Sequence, residues 1–229
     1  MMVPIPKNDL TEAQLRTLTS YMDEILRINE SINLTAIRDR DEFWLKHIWD
    51  SIHPLSDMEE IPSPVLDLGT GGGFPLIPLA VTFPETRFVG IDSVNKKLNV
   101  IRDTAAALHI DNVELIHGRA EDLARDPKLR EHFGLVVSRA VAELRILLEY
   151  VVPFVRVGGR IYAYKSVEVE QEILLAKKAS DVLGVELMRQ IDYSLPGESQ
   201  TRSLLMFQKK RPTDKRYPRK AGIPKKSPL

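Results

Sequence analysis

A glycine-rich segment followed by an acidic residue carries the clearest chemistry in this sequence. The segment Asp67-Leu68-Gly69-Thr70-Gly71-Gly72-Gly73-Phe74 ends a short apolar run, and Asp92 closes the next apolar run. Glycines permit positive φ angles and let a ligand approach the backbone closely. Gly69, Gly71 and Gly73 are therefore candidates for a ligand-binding turn.

Two classes of ligand compete for this turn. A dinucleotide fold requires G-x-G-x-x-G, but Phe74 stands at the third glycine position. The carboxylate of Asp67 would repel a pyrophosphate. It would instead attract the ammonium group of S-adenosylmethionine (SAM), directly or through water. Asp92 can accept both ribose hydroxyls, and Gly118-Arg119-Ala120-Glu121 would flank the adenine. We therefore predict SAM as the cofactor, with purely structural turns as the alternative.

The elements that must position these residues alternate between strand and helix. Apolar runs predict strands over 65–68, 87–91, 113–116, 135–138, 160–164, 185–191 and 203–208. This alternation predicts an α/β, Rossmann-like fold with a seven-stranded, mostly parallel sheet. The last two strands lack a long helix between them, so we expect an antiparallel hairpin at the edge. We expect a helical cap over residues 1–60 and a cofactor-binding core over 61–208.

The composition excludes several kinds of chemistry. Cysteine is absent, which excludes disulfides, thiolate metal sites and cysteine nucleophiles. His47 and Asp50 lie three residues apart on a predicted helix with no further ligands, so we assign no metal. No apolar run reaches the ~18–20 residues of a membrane helix, and no signal peptide is visible. We expect a cytoplasmic protein and take a monomer as its oligomeric state.

The net charge of zero conceals a basic C-terminal tail, defined here as residues 209–229. The tail holds nine basic residues and one acidic residue. Such a tail indicates either a polyanionic partner or a solvated segment that aids solubility. Its four prolines and scarce apolar residues predict an extended, disordered chain. The candidate RNA-binding residues are Lys215, Arg216, Arg219 and Lys220 in the tail, with Lys165 and Arg202, which could equally be solvated surface charges.

Several short segments resemble one family of RNA-modifying enzymes. They are Asn33-Leu34-Thr35-Ala36-Ile37, His47-Ile48-Trp49-Asp50-Ser51, the loop from Asp67 to Pro78, Asp92-Ser93, Gly118-Arg119-Ala120-Glu121, Ser138-Arg139-Ala140 and Gly158-Gly159 through Lys165. In this order they resemble the small-subunit rRNA (guanine-N7)-methyltransferase G family, also called glucose-inhibited division protein B. The resemblance implies a class I, SAM-dependent methyltransferase that modifies N7 of one guanine in 16S rRNA, free or within the small ribosomal subunit. It places SAM contacts at Gly69, Phe74, Ala120, Glu121 and Arg139.

Arg139 is the one residue that we expect to act in catalysis. It ends the fourth predicted strand, where it could orient the base or a phosphate; the alternative is a salt bridge to Asp67 or Glu121 that only shapes the pocket. Guanine N7 carries a lone pair and no proton, so the transfer needs alignment rather than a general base. Two other functions remain open: a methyltransferase acting on a protein or small molecule, and a non-catalytic SAM- or RNA-binding module.

Overall fold

A seven-stranded sheet forms the centre of the structure, a computed structural model that describes residues 10–166 and 169–229. Its strands are β1 Val65–Leu68, β2 Phe88–Asp92, β3 Val113–His117, β4 Phe133–Arg139, β5 Val155–Lys165, β6 Val185–Ser194 and β7 Thr201–Lys209. They lie in the order β3-β2-β1-β4-β5-β7-β6. The first five are parallel, and β7 is antiparallel to both β5 and β6. The predicted mostly parallel sheet and the antiparallel hairpin are confirmed.

The strand order fixes where a ligand can bind. The chain winds outward from β1 to β3 and then crosses back to β4, so β1 and β4 flank the switch point. In open α/β sheets, ligands bind at the carboxyl ends of the strands beside this point. The glycine-rich segment follows β1, and Arg139 ends β4. The topology therefore brings both predicted features to one edge of the sheet.

Helices pack on both faces of the sheet. They are α1 Glu12–Asn29, α2 Arg40–Phe43, α3 Asp50–Ile52, α4 Leu76–Thr82, α5 Asn95–Ala107, α6 Ala120–Leu123, α7 Leu144–Val151, α8 Val169–Leu183 and α9 Ile223–Lys226. Successive strand residues point to opposite faces, and Val65 and Leu66 accordingly belong to different apolar clusters. Helices α1, α4 and α5 cover the first cluster, and α7 and α8 cover the second.

Helix α1 supports the glycine-rich segment from behind. Its N-terminus carries a capping box, in which Thr11 and Gln14 each accept a backbone N–H of the other. Its inner face buries Leu18, Tyr21 and Ile25 in the same cluster as the sheet. The N-terminal segment described here, from Leu10 onward, therefore shares one core with the cofactor-binding fold.

The second predicted helix, over residues 41–51, is divided by a change of helical type. Helix α2 continues as a π-helical segment, Trp44–Trp49, before α3 completes it. Short π-helical turns inside α-helices occur frequently at functional sites. Here the π-helical turn carries His47 and is followed directly by Asp50.

The C-terminal tail is ordered, which corrects the expectation of a disordered segment. Lys209 is fully buried and donates to Glu131 at 2.7 Å and to two backbone carbonyls. Arg130 donates to the carbonyl oxygens of Thr213 and Tyr217. Arg219 forms an ion pair of 2.6 Å with the buried Glu149. Composition alone predicted disorder because it cannot show that the core holds acidic side chains and carbonyls for these cations.

Candidate active site

The carboxyl ends of the strands open onto a groove with two lobes. The large lobe has a volume of about 850 Å³ and is lined by the glycine-rich segment, by the ends of β4 and β5, and by the π-helical turn. The small lobe, of about 290 Å³, lies at the ends of β1, β2 and β3. Gly69, Asp92 and Val141 line both lobes. The two lobes are therefore adjoining parts of one site.

The small lobe brings together the residues predicted to hold ribose and adenine. Asp92, Ala120 and Glu121 all line it. The carboxylate of Asp92 accepts the N–H of Gly71 at 2.9 Å and that of Val94 at 2.8 Å. These bonds fix the carboxylate at the junction of the lobes, and each oxygen keeps a lone pair for a ligand hydroxyl. The sequence-based grouping of these three residues thus corresponds to one pocket.

The glycine-rich segment is held by close packing from two sides. Gly73 has a φ of +89°, and a Cβ there would overlap the hydroxyl of Tyr21, which donates to the carbonyl of Gly72 at 3.0 Å. Gly69 has a φ of +77°, and a Cβ there would overlap the side chain of Val141. Gly69 and Gly71 line the groove, whereas Gly73 lies behind it against α1. Gly73 therefore shapes the loop rather than touching a ligand.

Asp67 lies one layer below the groove, and its attraction of the SAM ammonium, directly or through water, stays a prediction. Its side chain is fully buried and lines neither lobe. Its Oδ2 accepts the N–H of Leu76 at 3.2 Å and so holds the start of α4. Burial raises the pKa of Asp67 to about 7, against the opposing effects of hydrogen bonding and of Arg139. Asp67 therefore helps to fix the position of α4 behind the glycine-rich segment.

One wall of the large lobe is a network of charged and polar side chains that we call the charged wall, comprising His47, Asp50, Arg139, Tyr193 and Arg202. Asp50 is its centre. Its side chain is 2% exposed and accepts from Arg139 at 3.0 Å, from Arg202 at 3.4 Å and from the hydroxyl of Tyr193 at 2.9 Å. A buried carboxylate is stable only with such partners.

Arg139 joins the charged wall to the glycine-rich segment. Its guanidinium bonds Asp50, the carbonyl of Lys46 and Nδ1 of His47, each at 3.0 Å. The guanidinium carbon also lies 5.7 Å from the centre of the Phe74 ring. The alternative salt bridges to Asp67 and Glu121 are wrong, because Asp50 is the carboxylate that pairs with Arg139. Arg139 does line the large lobe, as predicted.

His47 is a site residue that the sequence analysis did not assign. Its ring stacks on Phe74, with 4.6 Å between centroids and 10° between planes. Burial, followed by the nearby Arg139 and Arg202 guanidiniums, lowers the pKa of His47 to about 3. Asp50 was likewise not predicted as a site residue. Both residues lie in a segment that carried the family resemblance, and this resemblance was the one indication in the sequence that they belong to the site.

The six candidate RNA-binding residues divide into two groups. Lys165 and Arg202 line the large lobe and are paired there, with Glu172 at 2.6 Å and with Glu198 at 3.2 Å. They are therefore not the solvated surface charges of the alternative interpretation. In the tail, Lys215, Arg216 and Lys220 are exposed, and Arg219 is committed to Glu149.

The described residues contain neither a metal-binding cluster nor a membrane-spanning helix. In residues 10–166 and 169–229, no group of three or more His, Cys, Asp or Glu side chains could hold a metal ion. No helix in this part of the chain is both long and apolar enough to cross a bilayer.

Comparison with known proteins identifies the family. The family model for rRNA small subunit methyltransferase G (GidB) matches residues 14–197. The chain is 40% identical to the ribosomal RNA small subunit methyltransferase G of Lactococcus lactis subsp. cremoris (strain MG1363) over 222 residues, 96% of this chain and 93% of that protein. The same values relate it to the protein of that name in Streptococcus agalactiae serotype V (strain ATCC BAA-611 / 2603 V/R).

A solved structure confirms the fold class. An O-methyltransferase from Bacillus cereus, crystallised in complex with SAH, superposes with a TM-score of 0.57 at 17% identity over 83% of this chain and 91% of that one. The resemblance found in the sequence is confirmed by the family match and by the identity to both relatives. This chain belongs to the rRNA small subunit methyltransferase G family.

Proposed function

We propose that this protein transfers the methyl group of SAM to N7 of a guanine in 16S rRNA. The observation that carries the proposal is the two-lobed groove at the switch point of the sheet, in a chain 40% identical to ribosomal RNA small subunit methyltransferases G over 96% of its length. The small lobe suits a nucleoside, and the adjoining large lobe leaves room for an acceptor base.

The residues of the groove fit SAM as the cofactor. Asp92 offers carboxylate oxygens to ribose hydroxyls at the junction of the lobes, while Ala120 and Glu121 flank the position for adenine. Gly69 and Gly71 present bare backbone to the methionine portion, and Asp67 holds the start of α4, the helix that follows this segment. When bound, SAM supplies an electrophilic methyl group on a sulfonium. Phe74 and His47 form an apolar, stacked floor beside it that excludes water.

The charged wall favours a nucleophile that carries no proton. The large lobe is lined by one histidine, His47, and by the carboxylates Asp50, Asp92, Glu143 and Glu172. Among the described residues, each of these already bonds a cation or a backbone N–H. His47 and Asp50, the two of these that belong to the charged wall, are both held by Arg139 and are therefore poorly suited to act as a general base. Guanine N7 needs no base, whereas an exocyclic amine or a protein hydroxyl must lose a proton.

Arg139 is the residue that we propose to act at the reacting centre. Its partners hold the guanidinium at the edge of the large lobe, beside the Phe74 ring and 14% exposed. A guanidinium fixed in this way can donate to O6 of guanine and orient N7 toward the methyl group. Lys165 and Arg202, in the same lobe, can contact the flanking phosphates.

The exposed cations of the tail extend the RNA-binding surface. Lys215, Arg216 and Lys220 point to solvent on an ordered segment whose Gly222 donates its N–H to Glu121 of the small lobe, at 3.3 Å. Replacing Lys215 and Lys220 with alanine should lower RNA affinity and reduce its salt slope by roughly one unit per charge. An unchanged salt slope would show that the tail is not part of the RNA-binding surface.

A ribosomal RNA substrate supports a cytoplasmic site of action. We also propose that the protein is a monomer.

Mapping the methylated atom tests the proposal. The protein is incubated with labelled SAM and with either naked 16S rRNA or small ribosomal subunits, and the RNA is digested for mass spectrometry. We expect one N7-methylguanosine. Label on a protein or metabolite would favour a different methyltransferase, and SAM binding without any transfer would favour a non-catalytic module.

A further inference from the structure

The side-chain hydroxyl of Thr35 lies in a rigid turn at the edge of the large lobe. Asn29, the last residue of α1, holds this turn by accepting the N–H groups of Leu34 and Thr35 at 2.8 and 3.0 Å. Its side-chain amide also donates to the carbonyl of Thr35 at 2.9 Å. The Thr35 side chain is half-buried and lines the large lobe. Its position is therefore fixed before any ligand arrives.

The direction of the hydrogen bonds around His47 follows from Arg139. A guanidinium only donates, so Nδ1 of His47, 3.0 Å from the Arg139 guanidinium, must be the acceptor. A neutral imidazole then carries its proton on Nε2, and the lowered pKa of His47 agrees with a neutral ring. Nε2 lies 2.7 Å from Oγ1 of Thr35. The imidazole therefore donates to the threonine hydroxyl.

The same argument fixes the proton of Thr35. Its Oγ1 also accepts the N–H of Ile37 at 3.1 Å. A hydroxyl oxygen has two lone pairs and one proton, so both acceptor positions are filled and only the donor is left. Among the described residues no acceptor takes that proton, and Thr35 lines the large lobe together with its two hydrogen-bond partners, Ile37 and His47.

We infer that Thr35 is a ligand-binding residue whose hydroxyl donates a hydrogen bond to an acceptor oxygen of a molecule bound in the large lobe. Arg139 and His47 act as positioning residues that force this direction. The inference rests on the proposed function, under which the lobe receives two acceptor groups besides the phosphates that Lys165 and Arg202 contact. One is the carboxylate of the methionine portion of SAM, and the other is O6 of the target guanine.

Thr35→Val tests the inference, because valine keeps the shape of the side chain but cannot donate. Thr35→Ser, which restores the hydroxyl, is the matched control. If the acceptor is the carboxylate, Thr35→Val weakens SAM binding about tenfold in calorimetry. Decarboxylated SAM should then bind the wild-type protein and the variant equally, because it lacks the acceptor.

If the acceptor is O6, SAM affinity is unchanged and kcat/KM for the RNA falls about tenfold. An RNA with 2-aminopurine at the target position, which lacks O6, should then bind the wild-type protein and the variant equally. Thr35→Ser should restore the wild-type value in both arms.

Two results would overturn the inference. One is a Thr35→Val protein within twofold of the wild type in both arms. The other is a loss of the same size for the natural ligand and its analogue, which would show that valine only disturbs His47 and Ile37. Failure of the proposed function is distinguishable, because the wild-type protein would then bind SAM but place no methyl group on guanine N7, leaving the calorimetric arm readable.

Discussion

The small lobe with its glycine-rich segment and the charged wall of the large lobe are built in opposite ways. The first is formed by turns that follow β1, β2 and β3, and its fixed contacts join carboxylates to backbone N–H groups nearby. The second is formed by side chains from the π-helical turn, β4, β6 and β7, and Asp50 and Arg202 are separated by 152 residues. One region depends on backbone shape, and the other on mutual pairing of charges.

This difference predicts how each region fails. In the charged wall, loss of one member leaves Asp50 buried with fewer donors, so the damage spreads through the network. In the glycine-rich segment, only a change that alters the backbone should matter.

Arg139→Ala should abolish methyl transfer, with a loss of at least about 100-fold, and should lower the free energy of unfolding by about 3–5 kcal/mol. The reason is that Asp50, with a side chain 2% exposed, loses its best partner. Turnover with labelled SAM and urea denaturation measure the two effects. Arg87→Ala is the control, because its ion pair with Glu114 is exposed and should cost about 0–1 kcal/mol. Turnover near the wild-type rate in Arg139→Ala would contradict the account.

Asp67 should make stability depend on pH, because burial raises its pKa from 3.8 to about 7. Between these values the folded state keeps a proton that the unfolded state releases. The contribution of Asp67 therefore falls as pH rises through this window, by up to ~4 kcal/mol, and is lost above pH 7. Urea denaturation at pH 5 and pH 8 should show that Asp67→Asn removes this dependence. Equal pH slopes in both proteins would show that Asp67 keeps an ordinary pKa.

Gly73→Ala should lower the free energy of unfolding by about 3 kcal/mol and weaken SAM binding. A Cβ there adds left-handed strain to overlap with the buried hydroxyl of Tyr21. Gly71→Ala is the matched control: its φ is also positive, but the nearest atom to a Cβ is 3.9 Å away. It should cost only about 1 kcal/mol. Equal losses in thermal denaturation would show that strain alone, and not contact with α1, matters here.

Arg219→Ala should lower the free energy of unfolding by about 2 kcal/mol, because it leaves the Glu149 carboxylate buried without its partner. SAM affinity should fall about two- to threefold, since the tail carries Gly222, which donates to Glu121. Arg216→Ala is the control and should change neither quantity, because Arg216 is exposed and its ion pair is with Asp214, which is also exposed. If calorimetry gave the same SAM affinity for both variants, the tail would have no effect on cofactor binding in the small lobe.

The backbone-built region was the more predictable of the two. β1 was predicted with its observed bounds, because a short apolar run followed by glycines indicates where the strand ends. The charged wall was not predicted as a unit, since Arg139 and Asp50 lie 89 residues apart and no local pattern links them. β5 was predicted too short: the prediction began at residue 160, after two glycines, but the strand runs through Gly158 and Gly159 from Val155.

In this account the charged wall serves the transfer of the methyl group, while cofactor affinity depends on the backbone-built region and does not require Arg202. Arg202→Ala tests it most directly, because Arg202 belongs to the wall and lies outside the small lobe. The measurement is the single-turnover rate of methyl transfer to small-subunit rRNA, at SAM concentrations set by calorimetry on the same variant. We expect SAM affinity within about threefold of the wild type and a transfer rate lowered about 30-fold or more. A variant that loses SAM affinity in proportion to its rate would contradict the account.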